Sequence, residues 1–347
     1  MNDRFLRACR GQATEVTPVW FMRQAGRYQP EYRRLREQKS LIAIAQDPIL
    51  CAEVTCHAVE SLGVDAAILF SDIMIPLGPM GVGFEIREKV GPVVESPIRD
   101  LAAVERLRGL EPGRDLPFVG EAIARIVDRL EVPLIGFAGG PFTLASYLIE
   151  GSPSRQYVHT KRMMWEQPAA WERLMERLAD ATAAYLAYQI ACGASAVQIF
   201  DSWVGALAPE DYESFVVPYL RRLLRQVKGR APVIYFGVVT ATLLAQIRAL
   251  QVEVVGLDWR IPLAQAREQL GWDQPVQGNL DPVAVLAPWP VVAAKARAIL
   301  DANAGRPGFI FNLGHGVLPE TSPETLRRLV EWVHAWPSQA PASLSGE

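Results

Sequence analysis

The stretch VPLIGFAGGPFTLASYLIEG, residues 132–151, decides the fold. Its first seven residues are short, apolar and without alternation, the pattern of a strand covered on both faces, as parallel strands are. Two glycines and a proline stop the run, and an apolar helix-like segment follows. This strand, turn and helix unit recurs along the chain. The other apolar runs are PVWFM (18–22), DAAILF (65–70), SAVQIF (195–200), PVIYF (232–236), VEVVGL (252–257), QPVQG (274–278) and GFIFNL (308–313). Eight such runs alternating with helical segments predict a (β/α)8 TIM barrel of the α/β class in a single domain. A doubly wound open sheet is the competing arrangement, but no G-x-G-x-x-G or Walker glycine loop follows any run.

Helix signals punctuate the intervals. In residues 47–63, Asp47 stands at the N-cap, Pro48 at the first helical position and Gly63 at the end. Ser322 with Pro323, and Asp281 with Pro282, open two further helices in the same way. Residues 154–191 read as two helices broken near Pro168. The segment 82–98, VGFEIREKVGPVVESPI, breaks the alternation and reads as a small hairpin insert near the barrel mouth. The ends, about 1–10 and 337–347, read as flexible.

The chain has 347 residues, half of them hydrophobic and 21% charged, with a net charge of -3. That balance argues against a general nucleic-acid binder, so any affinity for anions must be local. No run approaches the roughly 18 apolar residues of a membrane span, and the start MNDRFLRACR lacks an apolar signal core. Four scattered cysteines are no disulfide framework, and the expected setting is the reducing cytoplasm.

Polar and glycine-rich clusters follow directly after the strands, where barrel enzymes carry their catalytic groups. They are Arg23-Gln24-Ala25-Gly26-Arg27, Ser71-Asp72, GGPFTLASYL, Asp201-Ser202-Trp203, GLDWR, GNLDP and NLGHG. Two arginines beside a glycine at a strand end suit a carboxylate ligand, since the planar guanidinium binds carboxylates through two hydrogen bonds. The competing reading for Arg23 and Arg27 is idle surface charge. Asp72 leaves a buried run and is followed by IMIPLGPM, a poor helix start, so a functional role outweighs a capping one. Asp201 and Asp258 admit capping, or pairing with an arginine such as Arg260. His315 stands between two glycines, which let backbone and ligand approach closely. Tyr147 is as consistent with core packing as with a site. Cys51, Cys56 and His57 lack the spacing of a zinc site, and no G-x-S-x-G elbow or strand-end lysine occurs.

FMRQAGRYQPEYR, FSDIMIPLGPMG, PLIGFAGGPFTLASYLIEG, VVGLDWR, QGNLDP and NLGHGVLPETSPE, in this order over about residues 18–335, together closely resemble the uroporphyrinogen decarboxylase family. The resemblance implies a cytoplasmic, usually homodimeric barrel enzyme of haem synthesis. It would convert the four acetate side chains of uroporphyrinogen III to methyls, giving coproporphyrinogen III, with no cofactor and no metal. It implies substrate contacts at Arg23, Gln24, Ala25, Gly26, Arg27, Asp72, Tyr147, Ser202 and His315, with Asp72 and Arg23 as the catalytic pair. A pyrrole protonated on carbon can serve as its own electron sink, and a carboxylate aimed at the ring N–H would stabilise the resulting cation. Arg23, Tyr147 and His315 stand as alternative proton donors.

Some stretches depart from the family pattern. YFGVVTATLL lacks a lysine-glycine pairing, Asp201 stands where others carry Glu, and Leu41-Ile42 where Phe is frequent. A corrinoid-linked methyltransferase on a similar barrel would need zinc ligands whose spacing is missing here. A catalytically silent tetrapyrrole-binding protein would use the same residues.

Overall fold

A computed structural model describes residues 2–87 and 90–336. Seven parallel strands form one sheet: β1 (Ala67–Ile68), β4 (Leu134–Gly139), β5 (Ala196–Phe200), β6 (Val233–Phe236), β7 (Val254–Gly256), β8 (Val276–Leu280) and β9 (Phe309–Leu313), hydrogen-bonded in that order. The antiparallel pair β2 (Phe84–Arg87) and β3 (Gly91–Val94) is the expected hairpin. Its tip, 88–89, lies outside the described residues, as does the tail 337–347.

The run 18–22 supplies the eighth stave. It forms only an isolated parallel bridge, Val19 to Phe311. Phe311 N–H donates to Pro18 O at 2.8 Å on one side, and Asp65 N–H donates to Val19 O at 2.8 Å on the other. These bonds join β9 to the segment entering β1 and close the barrel.

The helices follow from their caps. Asp47 accepts from Ile49 and Leu50 N–H, and Gly63 takes the left-handed conformation that ends helix Pro48–Leu62. Helices Val158–Glu166 and Pro168–Cys192 break at Pro168 as expected. Two expectations fail. The segment from Asp281 opens on a turn and a short 3-10 piece, Ala284–Leu286, and its helix begins only at Trp289. Asp281 accepts from Val283 N–H, while Pro288 and Pro290 delay the helix because a proline fits only its first turn. The chain start is not a loose end. Arg4–Cys9 is a helix whose Phe5, Ala8 and Cys9 are buried.

Asp65 ties these parts together beneath the barrel. Only 2% exposed, it accepts from Val19 N–H at 2.7 Å, Asn2 Nδ2 at 3.2 Å and Arg4 Nη1 at 3.1 Å, with His334 Nε2 2.7 Å from its second oxygen. One carboxylate thus joins the first stave, the N-terminal helix and the last helix. Replacing Asp65 by Ala leaves the Val19 N–H buried without a partner and strips Arg4 of its inner carboxylate. The expected loss is about 2–4 kcal/mol of unfolding free energy, read from urea denaturation.

Candidate active site

Barrel closure decides who meets whom. The loop carrying Arg23 and Arg27 follows the first stave, so its neighbours are the loop after β1, with Asp72, and the loop after β9, with His315. Arg23 takes a left-handed backbone conformation (φ 60°), unusual outside glycine. Its aliphatic stem lies over Gly316, where a Cβ would come within 2.4 Å of Arg23 Cδ. That is the physical use of the glycine after His315.

Arg23 and Arg27 have no hydrogen-bond or ion-pair partner for their guanidiniums among the described residues, and neither does the Arg155 side chain. Surface arginines such as Arg129 and Arg222 are matched by carboxylates. Arg23 stays in contact with water, yet enough protein surrounds it to shift its charge equilibrium. Burial lowers its pKa, Asp72 and Tyr147 act against that, and Arg27 adds to it. Asp72 is affected in the opposite sense: burial raises its pKa, while the Met74 N–H and Arg23 pull it down. Asp72 Oδ1 accepts from Met74 N–H at 2.9 Å, just ahead of the short 3-10 turn Ile75–Leu77, whose N-cap is Met74 and which has no side-chain cap, in line with the poor helix-start context of Asp72. One oxygen is spent on the turn. No ion pair within 4 Å joins it to Arg23 among the described residues.

Tyr147 lies on helix Pro141–Glu150 with its ring stacked on Trp203, centroids 3.9 Å apart. Burial, then Asp72, push its phenol well above the usual range. His315 is brought down to about 4 by burial and by Arg23 and Arg260. It is therefore a neutral imidazole at physiological pH. Ser202, Trp203, Tyr157, Val239, Arg155 and His315 line a cavity of about 360 Å³.

Gln24 belongs to the same loop but not to the cavity. It is 1% exposed; its Nε2 donates to Ala66 O at 3.0 Å and its Oε1 accepts from Phe21 N–H at 3.1 Å. Its carbonyl accepts from the Tyr28 hydroxyl. It is a brace between the first two staves rather than a contact for a ligand side group. Ala25 and Gly26 are half-buried beside Arg23 and Arg27.

Asp201 and Asp258 prove to be structural. Asp201 is fully buried, accepts from Thr143 N–H (3.0 Å), Thr143 Oγ1 (2.8 Å) and Tyr235 OH (3.1 Å), and is pushed up to about 6 by burial. It holds the start of the Tyr147 helix against the Ser202 loop. Asp258 accepts from the N–H groups of Val239 and Arg260 and pairs with the Arg260 guanidinium at 3.3 Å. Val239 and Tyr157, both in left-handed conformations (φ 61° and 55°), were not visible as site residues. Nothing in a Val-Val dipeptide announces a positive φ, whereas Trp203 stood in a recognisable strand-end cluster.

No group of three or more His, Cys, Asp or Glu able to hold a metal occurs among the described residues. Cys51 Sγ donates to Phe70 O, Cys56 is buried, and His57 faces Glu31 at the surface. No described helix is long and apolar enough to cross a membrane.

Residues 1–336 match the family described as Uroporphyrinogen decarboxylase (URO-D). Uroporphyrinogen decarboxylase of Geobacillus kaustophilus (strain HTA426) is 52% identical over 97% of this chain and 98% of its own length. That of Bacillus subtilis (strain 168) is 50% identical over 96% and 95%. A methyltransferase from Methanosarcina mazei shares the fold at TM-score 0.79 over 96% of this chain and 97% of its own, but at 21% identity it speaks to fold alone. A whole-chain family match and relatives at half identity, on a barrel whose mouth holds an arginine pair beside a half-buried aspartate, establish that the chain belongs to the uroporphyrinogen decarboxylase family.

Proposed function

We propose that this mouth removes CO2 from the four acetate side chains of uroporphyrinogen III, with Asp72 and Arg23 as the catalytic pair. The observation that carries the assignment is an arginine and an aspartate on neighbouring strand-end loops, close enough to influence each other's charge but not bonded to each other.

Each turn converts R–CH2–COO⁻ and a proton to R–CH3 and CO2. Protonation of a pyrrole carbon places positive charge on the ring nitrogen. The bond to the carboxylate then breaks, and its electron pair neutralises the ring. The exposed methylene takes up a proton to become a methyl, and the proton on the ring carbon is lost. The Asp72 carboxylate faces the N–H of the cationic ring and stabilises the charge that develops. In a cavity of low dielectric that stabilisation exceeds what water offers.

Among the three proton donors considered, we keep Arg23, the one whose pKa burial shifts in the acidic direction while it still holds a proton. Burial lowers the guanidinium pKa and so makes Arg23 a stronger acid than usual, whereas it raises that of Tyr147 and leaves His315 without a proton to give above about pH 4. Arg27 holds a carboxylate; Tyr147, Ser202 and neutral His315 offer hydrogen bonds. Ala25 and Gly26 bring backbone close to the ligand. Gln24 acts through the shape of the loop. The same proposal includes a cytoplasmic homodimer; four free cysteines, three of them buried, fit a reducing setting.

Asp72→Asn keeps the Met74 bond geometry but removes the charge. Its turnover of uroporphyrinogen falls by about 100-fold or more while the circular dichroism spectrum is retained; unchanged turnover would remove Asp72 from the mechanism. The pH dependence has a definite sign. Burial raises the Asp72 carboxyl, and the working form is ionised, so kcat/KM drops as pH falls through a value above the ordinary 3.8 for Asp. Gly316→Ala tests the seat of Arg23. The added Cβ displaces a flexible side chain rather than backbone, so kcat/KM falls by about ten-fold or more with little change in melting temperature.

A further inference from the structure

The arginine pair after the first stave occupies one sector of the mouth. A macrocycle with carboxylates around its whole rim presents charge to every sector. Two other arginines stand in sectors that the proposed contacts leave uncharged. Arg260 follows β7, and Arg155 follows the helix after β4.

Arg260 is held in place from three directions. Its guanidinium lies 3.8 Å over the Trp259 ring, its Nη1 meets Asp258 Oδ2 at 3.3 Å, and its backbone N–H donates to Asp258 Oδ1 at 2.8 Å. Asp258 is itself 3% exposed and also binds Val239 N–H, which fixes the strained cavity wall. Despite these partners Arg260 is open to water and lies close enough to His315 to depress its protonation. A stacked, braced guanidinium with donors still facing solvent is pre-organised for a carboxylate.

Arg155 lines the cavity directly and has no ion-pair partner among the described residues. It sits in a loop that Ser154 Oγ fastens by accepting from Tyr157 N–H at 3.0 Å. That bond fixes Tyr157 in its left-handed conformation against Trp203, with rings 5.3 Å apart. His315 and Val239 line the same cavity as Arg155, and both also meet the Arg260 element, Val239 through its N–H to Asp258 and His315 through the nearby Arg260 charge.

We propose that Arg260 and Arg155 form a second carboxylate-binding subsite, which holds side-chain carboxylates that survive the reaction, the propionates, while the acetates are presented to Arg23 and Asp72. The proposal rests on the functional reading above. It assigns Arg260 and Arg155 to anchoring the macrocycle in substrate and product alike. Arg260 is itself positioned by Asp258.

The test is equilibrium binding of the fluorescent oxidised macrocycles uroporphyrin, with eight carboxylates, and coproporphyrin, which keeps only the four propionates. Binding is measured for the wild type and for Arg260→Gln, Arg260→Lys and Arg155→Gln. Each glutamine variant is expected to weaken both ligands by a similar factor of about ten, with Arg260→Lys restoring part of the loss. Loss confined to uroporphyrin would place acetates in the subsite and overturn the assignment. Unchanged binding of both ligands would overturn the subsite itself. Wild-type turnover of uroporphyrinogen, measured alongside, separates these failures from failure of the decarboxylase reading.

Discussion

Closure of the barrel by its weakest stave is the constraint on which the site depends. The run 18–22 has no ladder of its own; it is clasped by two backbone bonds to Phe311 and one to Asp65. That clasp turns an open parallel sheet into a ring and sets the Arg23 loop between Asp72 and His315. Without it the arginine pair and the aspartate would lie on opposite edges of a sheet. The reach of Asp65 to the N-terminal helix and to His334 gives the clasp a second layer.

Within the ring, the mouth is an unfinished electrostatic structure. Some surface arginines, Arg129 and Arg162 among them, pair with carboxylates, and those pairs contribute little in water. Arg23 and Arg27 have no carboxylate partner among the described residues. The cost is visible in the opposed pKa shifts of Arg23 and Asp72, which burial moves toward their neutral forms. Strain accompanies this: Arg23, Tyr157 and Val239, all at the mouth, hold left-handed backbone that folding alone gives no reason for. Gly316 and Gly205 make the close packing possible, since a Cβ on Gly205 would strike the Val238 carbonyl oxygen.

The staves were legible because runs buried on both faces carry no polar alternation, and all eight stand where the apolar runs stand. The strand-end clusters stood out for their polar residues and glycines directly after such runs, but several of those residues, Asp201, Asp258 and Gln24, serve the fold. What sequence could not supply was direction. Gln24 lies between two exposed arginines, yet its amide turns inward to Ala66. Asp201 and Asp72 both follow strands, but Asp201 is consumed by Thr143 and Tyr235, whereas Asp72 spends one oxygen on the Met74 N–H. The helix after Asp281 starts late because two prolines outweigh one capping aspartate. The first helix was misjudged as a loose end, because its apolar residues are few and only the tertiary fit of Phe5 and Cys9 shows their use.

The central claim is that an arginine and an aspartate, kept apart in a closed barrel mouth, suffice to decarboxylate a pyrrole-borne acetate. The most direct measurement is the CO2 released when the purified full chain is incubated anaerobically with reduced uroporphyrinogen III and no added cofactor. The account predicts four equivalents of CO2 per macrocycle, with coproporphyrinogen III as product. Folded protein that binds the macrocycle yet releases no CO2 would contradict it.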